Sequence, residues 1–364
     1  MLPFNPALAH LPVYQHGRPM EEVARELGRP VAEIIKLASN ENPLGPSPAA
    51  LAAIERALQS LQIYPDGNAY YLKQRLAEKL GVQPSNLLVG NGSNEIIELA
   101  GHALIDPGGE VVVSQFCFAV YPIVTHLFGG RLVTVPARDY GHDLPAMARA
   151  ITPRTRIVFV ANPNNPTGTL ASAEEVKRLV SELPPRVLLA LDEAYLEFVD
   201  QPCDLLPLIR EGQVKNLLLM RTFSKIYGLA GLRVGYGIGH PELIAALEKA
   251  RQPFNLNALA QVGALAALDD DEHLQRTRRN NREGLHFFED AFRQWPLKFV
   301  PSAANFVLAE VGDGQRVFGE LQKLGVIVRP MAGYQLPSWI RITVGTPAEN
   351  ARCLAGLRGL VASR

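Results

Sequence analysis

A lysine stands among small and apolar residues in the stretch RTFSKIYGLAGLRVGY, which covers residues 221–236. Lys225 comes shortly after the apolar run NLLLM, which is typical of a buried strand. Glycines at positions 228, 231 and 235 interrupt the sequence that follows. A lysine held at the end of a strand in this way is a candidate nucleophile for a carbonyl compound, although a surface lysine would give the same pattern.

Three further stretches place polar groups at the ends of apolar strands. NPNNPTG puts Asn165 after the run RIVFV, although Asn, Pro and Gly are also common in simple turns. LDEAY puts Asp192 and Tyr195 at the end of an aliphatic strand, where a carboxylate either has a positive partner or caps a helix. GNGSNE joins a strand to a helix, and the N–H groups at such a helix start suit a phosphate.

Together these stretches fit the requirements of pyridoxal phosphate. This cofactor needs a lysine that forms an imine with it, an acid that pairs with its pyridinium nitrogen, and a phosphate cradle of hydroxyls, an arginine and a helix N-terminus. The acid keeps the ring nitrogen protonated, so that the ring can accept the electrons left when a substrate Cα–H bond breaks. The sequence therefore predicts a pyridoxal-phosphate site.

The composition is that of a globular protein with a large core. The chain has 364 residues, 47% of them hydrophobic, which is enough for two domains. Lys+Arg and Asp+Glu both total 36, so the net charge offers no reason to expect a nucleic-acid or membrane partner. We see no signal peptide, no apolar run near the ~20 residues of a membrane span, and no metal-ligand spacing. Three scattered cysteines fit a reducing compartment, so we expect a cytoplasmic protein.

Strand and helix patterns alternate between residues 46 and 256. Strands are predicted at residues 86–92, 110–115, 131–137, 155–163, 186–195, 216–223 and 234–239. Short apolar strands separated by helices predict an α/β fold with a mostly parallel seven-stranded sheet covered on both faces. We expect a large cofactor-binding domain over residues 46–256 and a smaller α+β domain over 257–364. Residues 1–45 are expected to form an arm and a helix that pack with the small domain.

The ordered stretches NPNNPTG, DEAY and SKIYGLAGLRVGY resemble those of the fold-type I pyridoxal-phosphate aminotransferases, the aspartate aminotransferase superfamily. LASNENPLGPSP, IYPDG, GNGSNE, PSAANFV and IRITVGTPAEN are similar to motifs of the histidinol-phosphate aminotransferases within it. The similarity runs from about Pro19 to the C-terminus. It is more specific for the fold and the cofactor than for the substrate.

The resemblance implies a role for each matching residue. Lys225 would form the imine and carry the proton between substrate and cofactor. Asp192 would pair with the pyridinium nitrogen, while Asn165 and Tyr195 would hydrogen-bond the phenolic oxygen. Phe118 would stack on the ring. The residues that would hold the cofactor phosphate are Ser93, Asn94, Thr222, Ser224 and Arg233.

Contacts with a second subunit and with the substrate also follow from the resemblance. Tyr64 would reach the phosphate of the neighbouring subunit, which implies a homodimer with a shared active site. Arg341 matches an arginine that holds a substrate carboxylate in this superfamily and a phosphate in the histidinol-phosphate family. Arg329 is a second candidate, or else a solvated charge at a strand end. The full set of predicted substrate contacts is Tyr14, Asn42, Tyr121, Arg329 and Arg341.

The expected reaction is transfer of the amino group of L-histidinol phosphate to 2-oxoglutarate. An aromatic-amino-acid (phenylalanine or tyrosine) aminotransferase on the same scaffold is the nearest alternative. A lyase resembling threonine-phosphate decarboxylase would use the same site but break the bond between Cα and the carboxylate. A ligand-sensing module of a transcription regulator would be expected to carry a basic DNA-binding domain, for which the charge gives no support.

Overall fold

The computed structural model of the chain describes residues 2, 4, 7–8, 11 and 17–361. Tyr14, predicted to contact the substrate, lies outside the described residues. The strands in this part of the chain are β1 (Ile35–Lys36), β2 (Leu87–Gly90), β3 (Glu110–Ser114), β4 (Arg131–Val135), β5 (Thr155–Ala161), β6 (Leu188–Asp192), β7 (Leu217–Thr222), β8 (Gly235–Gly239), β9 (Phe299–Val300), β10 (Phe306–Glu310), β11 (Val326–Ile327), β12 (Arg329–Pro330) and β13 (Trp339–Thr343).

Helices separate most of these strands. The α-helices of the described residues are α1 (Met20–Leu27), α2 (Pro48–Ala57), α3 (Tyr70–Leu80), α4 (Ser93–Leu104), α5 (Val120–Leu127), α6 (Leu144–Arg149), α7 (Ala173–Glu182), α8 (Leu206–Arg210), α9 (Pro241–Glu248), α10 (Ala258–Ala267), α11 (Asp271–Gln294), α12 (Gly314–Lys323) and α13 (Pro347–Val361).

The larger sheet has seven strands in the order β2-β8-β7-β6-β5-β3-β4. All neighbouring strands are parallel except β8, which runs antiparallel to both β2 and β7. Every strand of this sheet was predicted, and the mostly parallel α/β fold is confirmed. The predicted strands extend one to three residues too far at several ends, because the polar residues there turn away into loops.

Both faces of the larger sheet are covered by helices. Successive residues of β6 enter two different cores, since side chains alternate along a strand. Leu189 and Leu191 pack in one hydrophobic cluster, and Leu188 and Ala190 pack in the other. This double burial explains why the strands read as continuous apolar runs.

The smaller sheet has four antiparallel strands in the order β12-β13-β10-β9. Phe288 and Phe292 of α11 and Leu321 of α12 pack against one of its faces. The N-terminal segment lies beside this sheet, because β1 pairs with β11 and Val23 of α1 packs in a cluster with Ile327. In the described part of the chain, no helix combines the length and the apolar character needed to cross a membrane.

The predicted domain boundaries stay a prediction, and the packing of α10 bears on the second of them. Ala260 and Ala264 of α10 lie in the same cluster as Ala50 of α2 and the apolar residues of the larger sheet. The later part of α11 instead contributes Phe288 and Phe292 to the core of the smaller sheet. We therefore propose that the second boundary follows α10 rather than residue 256.

Candidate active site

A cavity lies beyond the carboxyl ends of β5, β6 and β7, where the loops of parallel strands collect. It brings together twelve of the predicted site residues, namely Ser93, Asn94, Phe118, Asn165, Asp192, Tyr195, Thr222, Ser224, Lys225, Arg233, Arg329 and Arg341. The remaining residues of its wall are Gly17, Ala38, Ser39, Asn40, Ala161, Pro163, Ala194 and Tyr334. Residues from both sheets and from the N-terminal segment therefore form one site.

Lys225 reaches this cavity from the loop after β7. Its Nζ donates a hydrogen bond to the Ser39 carbonyl at 3.2 Å and lies 5.7 Å from the centroid of the Tyr195 ring. Burial of the amine, together with the positive charge of Arg341, lowers the pKa of Lys225 to about 8. The amine is therefore partly neutral near neutral pH, as a nucleophile or a proton acceptor must be.

Asp192 ends β6 and is only 5% exposed. One carboxylate oxygen accepts a hydrogen bond from the Tyr121 hydroxyl at 2.8 Å, and the other accepts from the Ala194 N–H at 3.1 Å. Burial raises the pKa of Asp192 to about 6, against the effect of these hydrogen bonds. Lys225 acts on this carboxylate through its positive charge, and among the described residues no lysine or arginine forms a direct ion pair with it. A cationic ring nitrogen at the cavity would stabilise it, so Asp192 fits the predicted cofactor.

Tyr121 was predicted to contact the substrate, but the structure places it elsewhere. The side chain is fully buried, and its ring stacks on Phe159 at 4.6 Å. Its hydroxyl faces Asp192 from behind the cavity wall, while Phe118, three residues earlier, lines the cavity itself. Tyr121 therefore contacts Asp192 and does not line the cavity.

The start of α4 and a nearby arginine form a cradle for an anion. A Cβ on Gly235 would lie 2.4 Å from the backbone nitrogen of Ser93, and a Cβ on Gly92 would lie 2.3 Å from Nη2 of Arg233. Only residues without a side chain allow these approaches. Arg233 also donates to the Ser224 hydroxyl at 3.1 Å. The helix N-terminus, the hydroxyl and the guanidinium converge as a phosphate group requires.

Two arginines of the smaller sheet form the opposite wall. Arg341 on β13 is 6% exposed, donates to the side-chain oxygen of Asn165, and donates to the Ala38 carbonyl at 2.9 Å. Arg329 on β12 is directly opposite Arg341 in the antiparallel register. Both side chains line the cavity, so the pair offers two guanidinium groups to an anionic ligand.

Two other predicted residues lie away from the cavity. Asn42 is buried, and its amide nitrogen donates to the Ile226 carbonyl at 2.8 Å and to the Thr277 hydroxyl at 3.1 Å. It supports the peptide that follows Lys225 and does not line the site. Tyr64 is 80% exposed and stacks on Phe254 with 4.8 Å between ring centroids.

Several residues of the wall were not predicted from the sequence, and Asn40 is one of them. Its side chain donates to the Tyr195 hydroxyl at 2.8 Å. Ser39 and Asn40 belong to the LASNENPLGPSP motif, so the motif itself marked the segment. No local signal indicated which of its side chains would face the cavity, or that Tyr334, which lies between β12 and β13, would join them.

Comparison with known proteins agrees with this geometry. The family model described as "Aminotransferase class I and II" matches residues 32–357. The chain is 52% identical to the histidinol-phosphate aminotransferase of Akkermansia muciniphila, over 97% of each protein. It is 51% identical to histidinol-phosphate aminotransferase 2 of Ralstonia nicotianae, over 96% of this chain and 94% of that protein.

A solved structure extends the comparison to three dimensions. The histidinol-phosphate aminotransferase of Sinorhizobium meliloti, in complex with pyridoxal-5'-phosphate, superimposes with a TM-score of 0.89 at 32% identity. The match covers 100% of this chain and 98% of that one. The family model and these relatives each match most of the chain, and the strand-end residues described above lie within the matched range. The chain therefore belongs to the family of class I and II aminotransferases.

Proposed function

We propose that this aminotransferase uses pyridoxal phosphate to convert L-histidinol phosphate and 2-oxoglutarate into imidazole-acetol phosphate and L-glutamate, a step of histidine biosynthesis. The observation that carries the choice of substrate is the opposed pair Arg329 and Arg341, which suits a phosphate better than a neutral group. Relatives about half identical over nearly the whole chain bear the corresponding name.

The residues of the cavity fit each part of the cofactor. When bound, pyridoxal phosphate supplies an electron sink for the charge left on the substrate carbon. Asp192 offers a negative charge to the ring nitrogen, and Phe118 offers an aromatic face. Asn165 and Tyr195 offer donors to the phenolic oxygen. The cavity-lining residues that would hold the phosphate are Ser93, Asn94, Thr222, Ser224 and Arg233.

Lys225 is the proton carrier of the proposed reaction. Its amine is the one lysine nitrogen among the residues that line the described cavity. A pKa of about 8 lets this nitrogen take a proton from the substrate carbon and return it within one turnover. The guanidinium of Arg341, fixed by Asn165 and the Ala38 carbonyl, orients the far end of the substrate.

The substrate proposal is tested by the rate at which each amino donor changes the visible absorbance of the bound cofactor. We expect L-histidinol phosphate to react much faster than phenylalanine. In Arg329→Ala the ratio of the rate with L-histidinol phosphate to the rate with phenylalanine should fall by roughly 10–100-fold, because a hydrogen-bonded charge partner of the phosphate is lost. The exposed Arg316 of α12 provides a matched control, Arg316→Ala, which should preserve the preference.

Other outcomes of this experiment would point to other activities. A faster reaction with phenylalanine would make the enzyme an aromatic-amino-acid aminotransferase. Release of carbon dioxide without transfer of the amino group to an oxo acid would make it a lyase. An equal effect of Arg329→Ala on both donors would contradict the role proposed for this arginine.

The pH dependence of cofactor loading tests the proposed role of Lys225. Only the neutral amine attacks a carbonyl, and the folded pKa of Lys225 is about 8 instead of the usual 10.5. We expect the rate of cofactor uptake by the apoprotein to rise with pH and to level off above about 8. The reaction of pyridoxal phosphate with Nα-acetyl-lysine, measured at each pH and expressed per neutral amine, corrects for ionisation of the cofactor. A corrected rate that keeps rising towards 10.5 would contradict this assignment.

We further propose a homodimer with shared active sites. Exposed apolar side chains are concentrated between residues 44 and 71, and the Tyr64–Phe254 stack adjoins them; those of the segment are Leu44, Leu51, Leu58, Leu61, Ile63, Tyr64, Tyr70 and Tyr71. An exposed patch of this kind is typical of an interaction surface. We also propose a cytoplasmic location, which the three free cysteines support.

Sedimentation tests the dimer directly. The protein is expected to sediment with the mass of two chains. Tyr64→Glu should lower the sedimenting mass towards that of one chain and should also weaken cofactor binding. Leu324→Glu, which alters an exposed leucine on another part of the surface, should do neither. A single-chain mass for the unaltered protein would rule out the shared site.

A further inference from the structure

Asn40 connects the two sheets at the active site. It is buried between Thr343 of β13 and Tyr195, which follows β6, and both of these residues are buried as well. Its backbone has a φ of 55°, in the left-handed region that Asn tolerates better than most residues. The amide of Asn305 also holds the Asn40 carbonyl at 3.0 Å. Asn40 is therefore fixed in one position.

The hydrogen bonds between Asn40 and Thr343 determine which way the Asn40 amide faces. The backbone N–H of Asn40 donates to the Thr343 hydroxyl oxygen at 2.9 Å. A backbone N–H can only donate, so the Thr343 hydroxyl must direct its own hydrogen elsewhere. The acceptor is the side-chain oxygen of Asn40, at 3.1 Å. The side-chain nitrogen of Asn40 consequently faces the other way, towards Tyr195.

The direction of the next hydrogen bond follows from this orientation. The Asn40 nitrogen donates to the Tyr195 hydroxyl oxygen at 2.8 Å, and an amide nitrogen cannot accept. The Tyr195 hydroxyl must therefore donate its hydrogen to a different acceptor. Tyr195 lines the cavity, and none of the described residues accepts this hydrogen. The hydroxyl is thus left as a donor on the cavity side.

We propose that Thr343 and Asn40 are positioning residues that make Tyr195 a fixed hydrogen-bond donor to an anionic oxygen in the cavity. The inference rests on the proposed function, in which that oxygen is the phenolic oxygen of pyridoxal phosphate. Arg341, Asp192 and Lys225 surround Tyr195 and act on it through their charges. Tyr334 also acts on Tyr195, but among the described residues the group that hydrogen-bonds the Tyr195 hydroxyl is the Asn40 amide, which Thr343 orients.

This relay also joins parts of the chain that come from different cores. Thr343 belongs to the smaller sheet, Asn40 to the N-terminal segment, and Tyr195 to the loop that follows a strand of the larger sheet. The donor state of Tyr195 consequently depends on how the smaller sheet docks beside the larger one. A mismatch in this docking would release the hydroxyl to rotate.

The test is the isosteric change Asn40→Asp, with a pH titration of the visible absorbance of the holoenzyme. A carboxylate only accepts, so it would draw the Tyr195 hydrogen away from the cavity. Loss of a donor to a charged oxygen should move the absorbance transition upwards by roughly one to two pH units. In a Tyr195→Phe background, Asn40→Asp should cause no further upward shift.

Equal shifts in both backgrounds would overturn the relay, because the new charge would then act without Tyr195. No shift in either background would overturn it as well. If Asn40→Asp does not retain the cofactor, Thr343→Val tests the same relay and should shift the transition upwards, whereas Thr343→Ser should not. Similar titrations for these two variants would contradict the inference. An unaltered protein that binds no cofactor would instead refute the proposed function.

Discussion

Replacing Lys225 with arginine is expected to lower the transamination rate by at least ~10⁴-fold. Arginine keeps the positive charge, but its guanidinium stays protonated and can neither attack a carbonyl nor take a proton from the substrate. Lys225 does both in the proposed reaction, because burial among Arg341 and neighbouring groups lowers its pKa to about 8. Steady-state assay with L-histidinol phosphate and 2-oxoglutarate measures the loss.

The control for this variant is Lys215→Arg. Lys215 precedes β7, pairs with Glu242 at 3.0 Å and is well exposed. The Lys215→Arg variant should retain full activity. Borohydride reduction of the unaltered holoenzyme should fix the cofactor to the peptide that contains Lys225, and the same treatment of Lys225→Arg should not. Substantial activity in Lys225→Arg, or labelling of another lysine, would show that the nucleophile has been assigned to the wrong residue.

Asp192→Asn is expected to reduce kcat/KM by roughly 10²–10³-fold. The amide has the same shape, and its oxygen can still accept from the Ala194 N–H while its NH2 group donates to the Tyr121 hydroxyl oxygen. It cannot supply the negative charge that keeps the ring nitrogen of the cofactor protonated, so stabilisation of the developing charge is lost. The assay is the same as for Lys225, with the cofactor at saturating concentration.

Stability provides an independent measurement on the same variant. Burial raises the pKa of Asp192 from 3.8 in its usual state to about 6, so the folded apoprotein binds a proton more tightly than the unfolded chain does. This tighter proton binding adds to the free energy of unfolding. The addition is fully present below pH 3.8 and is lost as the pH rises through about 6. Above about 6, apo Asp192→Asn should therefore be at least as stable as the unaltered apoprotein, while being far less active.

The corresponding control is Asp200→Asn, which removes an exposed carboxylate from the loop that follows β6. It should alter neither the activity nor the pH dependence of unfolding. A parallel loss of stability and activity in Asp192→Asn would mean that Asp192 is a structural residue, and it would contradict the role assigned here. Thermal unfolding followed by circular dichroism distinguishes the two cases.

Residues that follow directly from a strand end were predictable because a parallel sheet has a simple geometry. Asn165, Asp192 and Lys225 each come within a few residues of the end of β5, β6 or β7. The carboxyl ends of parallel strands meet at one edge, so polar residues there must lie close together. The turn before α4 was predictable for a similar reason, since glycines at a strand–helix junction expose N–H groups.

Residues whose role depends on packing were not predictable in this way. Phe118 lies just before α5 and Tyr121 lies in its first turn, yet of the two only Phe118 lines the cavity. Asn40 and Asn42 lie in one motif, but only Asn40 turns towards Tyr195. Such choices depend on which neighbours cover each side chain, and those neighbours come from distant parts of the chain.

The amino-acid sequence by itself determined the seven strands, their burial and the polar groups at their ends, because these follow from local apolar patterns and strand geometry. Only the tertiary structure decided that Arg341 meets Asn165, from which it is separated by 176 positions in the sequence. It also decided that Arg329 opposes Arg341 and that Thr343 orients Asn40. The contacts of Arg341 with Asn165 and of Thr343 with Asn40 join the smaller sheet to other parts of the chain, whereas Arg329 opposes Arg341 through strand pairing within that sheet. In each case the partner comes from a distant part of the sequence, and no local pattern specifies it.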